Sequence, residues 1–277
     1  MNMIDELKEY NFTKQGDAFV YSDVPNAVYH DGPGISSSFV RAFGRSQIHA
    51  IQKEQKTTPP MNFGTAAHSY IVEGESAFQN DVAVITGSPY TNANKILKQD
   101  YLERGLTVIN EKEYNDIKGM RDNLIDEAWM YIDSDSKVIE NSFYWYEGDV
   151  LCKCRPDVFC SPVKKPYADN DIILVDYKTT KSCNPESFID SVKEYGYDMQ
   201  ASWYRRGLQQ AGYNVKAFIF AAQEKTPPYA SKLFRMNNEQ MDKGWERMAK
   251  FLDSYKEYEE NGKPTIYNQP NVVDLSI

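Results

Sequence analysis

Apolar runs along the chain predict its strands. Ile172 to Val175 form a short continuous apolar run, typical of a buried strand, and this strand is predicted over Ile172–Lys178. A second strand is predicted over 215–224, with residues 231–236 beside it. Residues 138–146 and 150–159 flank a turn at 147–149 and together predict a hairpin.

Apolar positions that recur every three or four residues predict the helices. Serine caps precede a helix over Ser37–Gln52, and Gly74 ends a second helix over 61–74. The other predicted helices cover residues 92–104, 111–131, 185–194, 197–211 and 237–260. A short strand is predicted over 81–86. In chain order the predicted elements are helices, a three-strand meander, helices, a strand and a helix. This order predicts one α/β domain with a mixed central sheet.

Composition and charge narrow the class of protein. The 277 residues are 41% hydrophobic and 26% charged, which is ordinary for a globular protein. No apolar run approaches the roughly 20 residues of a membrane span, and the acidic start lacks the features of a signal peptide. We therefore expect a cytoplasmic protein with no membrane partner and four free thiols. The net charge of −9 argues against a surface covered by basic patches, but it leaves room for a local basic channel.

The predicted strand over Ile172–Lys178 ends in two charged residues. Asp176 and Lys178 share a face with the apolar residues before them, because side chains alternate along a strand. On its own, an Asp-x-Lys pair is most often an ion pair at the edge of a sheet. Asp157, however, follows a proline nineteen residues earlier, and a hairpin-like return would place the two carboxylates side by side. Converging carboxylates repel each other unless a cation lies between them, which predicts a Mg²⁺ or Mn²⁺ site with Lys178 beside it.

Four short motifs carry a family resemblance. Pro156-Asp157 followed by Asp176-x-Lys178 resembles the PD-(D/E)xK nuclease signature. Gly64 to His68 resembles the GxxxH motif of RecB-like members, and Gln200 to Tyr204 resembles their Gln-xxx-Tyr motif. The surrounding sequence resembles the RecE-type exonuclease (exodeoxyribonuclease VIII-like) of phages and prophages over roughly residues 20–225. The resemblance implies a restriction-endonuclease-like fold, a single nuclease domain over 1–277, and a C-terminal strand, helix and tail over 226–277.

The resemblance also implies a metal site. One or two Mg²⁺ or Mn²⁺ ions per subunit would be held by His68, Asp157, Asp176 and the backbone carbonyl of Tyr177, with Asp157, Asp176 and Lys178 as the catalytic residues. His68 has an alternative explanation as a structural helix residue. Glu140, at the first hairpin strand, is a candidate acid behind the ligands.

Further residues are predicted to support the site or to contact DNA. Gln200 and Tyr204 share a helix face and would touch the DNA backbone or brace Lys178; the alternative is a polar pair facing the core. Arg155 is one of several basic residues near the site in sequence. The resemblance suggests a pocket for a DNA 5′-phosphate at Ser36, Ser37, Arg41 and Arg45, because a capped helix N-terminus favours an anion. An ordinary capped surface helix explains the same residues equally well.

The function that the resemblance implies is digestion of linear duplex DNA from 5′ to 3′, leaving a 3′ single strand for a single-strand annealing protein. A ring-shaped homo-oligomer around DNA is implied as well. The rival interpretations are a RecB-like nuclease that prefers single strands, and an inactive protein that binds DNA ends. No iron–sulfur cluster is expected, because three cysteines lie within nine residues and none follows Cys183, unlike the cluster pattern of some RecB-like nucleases. No ATP site is expected, because the chain lacks a Gly-rich phosphate loop.

Overall fold

The computed structural model describes residues 7, 9–52 and 57–266 of the chain. Within these residues the strands are Phe12–Gln15 (β1), Ala18–Tyr21 (β2), Val82–Ile85 (β3), Thr107–Asn110 (β4), Val138–Ile139 (β5), Ser142–Glu147 (β6), Val150–Cys154 (β7), Val158–Cys160 (β8), Asp171–Thr180 (β9), Asn214–Glu224 (β10) and Ser231–Met236 (β11). The helices are Asn26–Asp31 (α1), Ser37–Arg45 (α2), Gln47–Ile51 (α3), Pro59–His68 (α4), Glu75–Asp81 (α5), Asn92–Glu103 (α6), Glu111–Asp122 (α7), Asp126–Ile132 (α8), Pro185–Tyr195 (α9), Tyr197–Gln210 (α10) and Asn238–Asn261 (α11). A π-helical turn, Ser69–Glu73, continues α4. None of the helices in the described part of the chain is long and apolar enough to cross a membrane.

The central sheet has five strands in the order β11-β10-β9-β8-β5. β9 and β10 are parallel and the other pairs are antiparallel, so the predicted mixed sheet is confirmed. Both faces of the middle strand, β9, are buried. Ile172 and Leu174 pack in a cluster with α9, α10 and α11, whereas Ile173 and Val175 pack in a cluster with α4, α7 and α8. Helices on both faces explain why this strand is a continuous apolar run rather than an alternating one.

The predicted hairpin is present, but it bends between two sheets. β6 and β7 pair antiparallel in a four-stranded sheet of order β1-β2-β6-β7, and β5 and β8 pair in the central sheet. The register is the same in both halves, since Phe143 lies opposite Cys154 and Ile139 lies opposite Val158. The ladder stops between the halves, where Pro156 has no N–H to donate. The two sheets therefore separate at a corner within one hairpin.

Two predicted helices are each divided in the structure. The helix predicted over Ser37–Gln52 is α2 and α3, because Ser46 adopts an extended conformation between them. The helix predicted over 111–131 is α7 and α8, separated at residues 123–125. The prediction also missed α1, α5, β1, β2 and β4, which are short elements of four to seven residues. The last eleven residues of the predicted tail, 267–277, lie outside the described residues.

Helix α10 lies close against the hairpin and so reaches the end of β9. A Cβ atom at Gly207 would lie 2.7 Å from both the Trp145 ring and Cys154 Sγ, so only glycine permits this approach. The helix follows α9 without a loop because Gly196, at φ +64°, adopts the left-handed conformation between them. This packing places the first turns of α10 beside the corner between the two sheets.

Candidate active site

Three carboxylic acids lie in a row across neighbouring strands at this corner. The backbone N–H of Glu140 donates to the carbonyl of Asp157 at 3.2 Å, which continues the hairpin register past the end of β5. The register that pairs Val158 with Val175 in turn places Asp157 opposite Asp176. Glu140 adopts φ +54°, an uncommon conformation for a residue with a side chain, at the point where the strand leaves the central sheet.

His68 reaches the row from the last position of α4. Its Nε2 atom lies 3.4 Å from Asp157 Oδ2 and 3.5 Å from Glu140 Oε1. This nitrogen is buried and has no hydrogen-bond partner among the described residues. A Cβ atom at Gly64, one turn earlier, would lie 3.5 Å from Thr179 Oγ1, so α4 packs close to the end of β9. The GxxxH motif thus brings an imidazole to the carboxylates.

Asp176 and Lys178 form an ion pair at the end of β9. Lys178 Nζ lies 2.5 Å from Asp176 Oδ2, and the carboxylate is 1% exposed. The ammonium group also lies over the ring of Tyr197, 5.2 Å from its centroid. The backbone N–H of Tyr177, between the two, donates to Asp157 Oδ2 at 2.7 Å. The carboxylate of Asp157 therefore reaches the end of β9 through the backbone N–H between Asp176 and Lys178.

Gln200 and Tyr204, on the first turns of α10, lie beside the same carboxylate. Gln200 Nε2 donates to Asp176 Oδ1 at 3.3 Å and to the Tyr204 hydroxyl at 3.0 Å. The prediction offered Lys178 as the residue that Gln200 would brace, whereas the structure places the amide on Asp176. A contact of either residue with DNA stays a prediction.

Comparison with known proteins places this constellation in a family. Residues 36–269 match the family described as "PDDEXK-like domain of unknown function (DUF3799)". The chain belongs to this family. Pro156-Asp157 and Asp176-x-Lys178, which resemble the PD-(D/E)xK signature, lie within the matched residues and come together at the corner between the two sheets. No curated protein matches this PDDEXK-like domain.

One solved structure shares the fold of this PDDEXK-like domain, and a second shows a weaker similarity. A crystal structure of a protein from Eubacterium rectale, described as a "putative exonuclease", is similar with a TM-score of 0.61 and 13% sequence identity, covering 92% of this chain and 96% of that one. A second structure, of the protein SSO0001, has a TM-score of 0.29 and 14% identity, covering 71% of this chain and 87% of that one. At such identities the first similarity supports a restriction-endonuclease-like fold and nothing finer.

Burial and mutual repulsion shift the protonation of the acids. Burial raises the pKa of Glu140 to about 8 and that of Asp176 to about 6, and the charge of Asp157 adds to both shifts. Burial acts in the same direction on Asp157, but His68, Lys178 and the Tyr177 N–H outweigh it and hold the pKa of Asp157 below its usual range. Burial disfavours the imidazolium form of His68, yet Asp157 and Glu73 raise its pKa well above the ordinary value. The cluster therefore holds more carboxylates than it can keep ionised without a further cation.

The donor atoms fit a hard divalent metal ion. His68, Glu140 and Asp157 each offer one ligand atom, and these atoms all lie within 4.8 Å of one another. Two carboxylate oxygens and one imidazole nitrogen suit Mn²⁺ and Mg²⁺. In this arrangement Glu140 belongs to the ligand group, whereas the sequence prediction placed it behind the ligands. Asp176 faces Lys178 and Gln200 instead, and its role as a ligand, like that of the Tyr177 carbonyl, stays a prediction.

The hairpin contained the signal for Glu140. Counting outward from the two-residue loop Gly148-Asp149, residue 140 falls opposite residue 157. If the register is assumed to continue unchanged from the loop, the sequence alone pairs Glu140 with Asp157.

Arg155 is buried beside the row of carboxylates. The side chain is 8% exposed, donates to Ser142 Oγ at 2.6 and 2.9 Å, and donates to the Val24 carbonyl at 2.9 Å. Its guanidinium stacks over Tyr29, and Nε lies 3.9 Å from Glu140 Oε2. Burial and these contacts make Arg155 a support of the corner, one of the two roles predicted for it, and its contact with DNA stays a prediction.

The two arginines of the predicted 5′-phosphate pocket lie at the contact of α2 with the end of α9. Arg41 donates to the carbonyls of Tyr195 and Gly196, and Arg45 donates to the carbonyl of Glu194 at 3.0 Å. Both arginines thus bind backbone carbonyls at a helix C-terminus, which favours positive charge. Ser36 Oγ caps α2 by accepting the backbone N–H of residue 39 at 3.4 Å, and Ser37 is buried. The structure accounts for these residues as supports, and their contact with a phosphate stays a prediction.

Proposed function

We propose that this PDDEXK-like domain is a metal-dependent DNA exonuclease of the RecE type, which digests linear duplex DNA from 5′ to 3′. The observation that carries the proposal is the row of Glu140, Asp157 and Asp176 beside His68 and Lys178. A structural ion pair needs one acid and one base. Here one buried imidazole nitrogen is directed at two carboxylates, at 3.4 and 3.5 Å, and the three groups offer mutually close ligand atoms for a cation.

The residues divide into those that hold a cation and those that act on the phosphate. His68, Glu140 and Asp157 would hold Mg²⁺ or Mn²⁺, which when bound would neutralise phosphate charge and ease the deprotonation of the water that attacks phosphorus. Lys178, paired with Asp176, presents a fixed positive charge that stabilises the negative charge developing on the phosphate. The Tyr197 ring beneath the ammonium and the Gln200 amide on Asp176 restrict this pair to one geometry.

A pair of lysines suits the DNA backbone next to this site. β9 and β10 pair as far as Thr180 and Glu224, and the Lys225 N–H then donates to the Thr180 carbonyl at 3.3 Å. Lys181 and Lys225 therefore follow neighbouring strand ends, three residues beyond Lys178 in the case of Lys181. Burial and the nearby Lys181 charge both lower the pKa of Lys225. Like charges on neighbouring strands are destabilising, so backbone phosphates bound beside these lysines would relieve the repulsion.

The wider context is part of the same proposal. The 3′ single strand left by the reaction would pass to a single-strand annealing protein in the cytoplasm of a bacterial or phage-infected cell. A homo-oligomeric ring would keep the enzyme on its DNA and would combine the acidic exterior implied by a net charge of −9 with a basic interior.

Digestion of matched DNA substrates tests the proposal. The purified chain is incubated with linear duplex labelled at the 5′ or the 3′ end, with circular duplex, and with single strands, in Mg²⁺, in Mn²⁺ and in a chelator. We expect metal-dependent loss of linear duplex, early release of a 5′ label as mononucleotide, and intact circles. Preferential digestion of single strands would instead establish the RecB-like alternative. Binding to ends without any digestion in either metal would establish an inactive end-binding protein.

A further inference from the structure

The π-helical turn after α4 has a specific geometric effect. In an α-helix, residues five apart point about 140° away from each other, because each residue advances by about 100°. The turn Ser69–Glu73 instead closes with a hydrogen bond from the N–H of Gly74 to the carbonyl of Ser69, five residues back, at 2.9 Å. As a result Glu73 lies on the same side as His68, and its Oε1 atom is 3.1 Å from His68 Nδ1. Such turns occur frequently at functional sites.

The imidazole of His68 is consequently held from one side and open on the other. Nδ1 meets Glu73, whereas Nε2 points at Asp157 and Glu140 at 3.4 and 3.5 Å. Glu73 does not belong to the group of mutually close ligand atoms, which consists of His68, Glu140 and Asp157 in the described part of the chain. The ring separates the two sets of carboxylates, so Glu73 cannot reach the same ion directly.

We propose that Glu73 is a positioning residue, which orients His68 and keeps its Nε2 atom available as a metal ligand. The inference rests on the metal site of the proposed function. A carboxylate that accepts the Nδ1–H selects the tautomer with a free Nε2 lone pair, and it raises the basicity of that nitrogen. The π-helical turn is the device that creates the contact, since a regular α-helix would turn Glu73 away.

Metal affinity measured without DNA tests the inference independently of nuclease activity. Binding of Mn²⁺ to the full chain is followed by calorimetry or by the electron paramagnetic resonance signal of free Mn²⁺. We expect Glu73→Ala to weaken Mn²⁺ binding by about 10- to 100-fold, as for other partners of metal-binding histidines. Glu73→Gln should lose less, because its amide oxygen still accepts the Nδ1–H without the charge. Glu75→Gln, an exposed acid two residues away, is the matched control and should bind Mn²⁺ as the unaltered protein does.

A double-mutant cycle separates positioning from general damage to the helix. If Glu73 acts through the imidazole, Glu73→Ala should have no further effect on Mn²⁺ affinity in a His68→Ala background. Mn²⁺ affinity within twofold of the unaltered protein for Glu73→Ala, or an equal loss in both backgrounds, overturns the inference. Should Glu73→Ala fail to fold, Glu73→Gln decides: a loss of a few fold supports positioning and unchanged affinity refutes it. Absence of Mn²⁺ binding by the unaltered chain would refute the metal site itself, and with it the inference.

Discussion

Substitutions of Asp157 separate the catalytic contribution of this residue from its structural contribution. Its Oδ2 atom accepts the backbone N–H of Tyr177 at 2.7 Å, and it lies 3.4 Å from His68 Nε2. The substitution Asp157→Asn keeps an oxygen that can accept the N–H but removes the charge, whereas Asp157→Ala removes both. We expect both variants to lose at least about 100-fold in kcat/KM, since one electrostatic contact to a transition state contributes about 10²–10³.

The stabilities of the two variants should differ. Only Asp157→Ala leaves the Tyr177 N–H buried without an acceptor, which costs about 1–3 kcal/mol. With a shift of about 2–4 °C per kcal/mol for a domain of roughly this size, Asp157→Ala should melt about 2–12 °C below Asp157→Asn. Both should be less stable than the unaltered protein near neutral pH, because the low pKa of Asp157 means that its charge is stabilising in the folded state.

Digestion of end-labelled linear duplex in Mg²⁺ and thermal unfolding in a chelator measure the two effects. Asp171→Asn is the matched control, because Asp171 also accepts a backbone N–H, that of Ala168 at 3.1 Å, but lies at the opposite end of β9. It should retain full activity. Nuclease activity of Asp157→Asn within tenfold of the unaltered protein would refute the metal-site assignment. Equal melting temperatures for the Asn and Ala variants would refute the structural role of the Tyr177 hydrogen bond.

Three further predictions concern DNA binding and pH. Joint replacement of Lys181 and Lys225 by alanine should remove about two phosphate contacts from duplex binding, which changes the slope of log K against log salt by about 1.8. An unchanged slope would show that the two lysines do not contact DNA. Because the pKa of Glu140 in the folded state is raised to about 8, the metal-free protein should lose stability as pH rises from about 4.3 towards 8. Glu140→Gln should flatten this decline in thermal unfolding. The same pH profile in both proteins would contradict the raised pKa of Glu140. If a 5′-phosphate binds near α2, Arg41→Ala or Arg45→Ala should reduce the preference for phosphorylated over hydroxyl ends by about one to two decades, whereas an unchanged ratio in both leaves these arginines as supports of α9.

Local chemistry in the sequence determined the central strand and the motif residues. The apolar run before Asp176 predicts burial on both faces, and the Asp-x-Lys pair that follows it indicated a site only together with Asp157 on the preceding strand. The turn at residues 147–149 made a hairpin predictable, and the hairpin in turn placed Asp157 near the end of β9. Helix periodicity located α9, α10 and α11, because each has one apolar face in the cluster on that side of the central sheet.

Tertiary structure decided which polar groups meet. Periodicity gives the face of a helix but not the distance at which it packs, so neither the contact of Gln200 with Asp176 nor the burial of Arg155 followed from spacing. The π-helical turn that brings Glu73 to His68 depends on one unusual backbone hydrogen bond, for which the sequence offers no periodic signal. The corner at Glu140 arises because the two halves of one hairpin belong to different sheets. The packing on both sides of the hairpin decides where it bends. The ligand group therefore joins His68, at the end of α4, to Glu140 and Asp157 of the hairpin, and no local pattern encodes the approach of α4 to the hairpin.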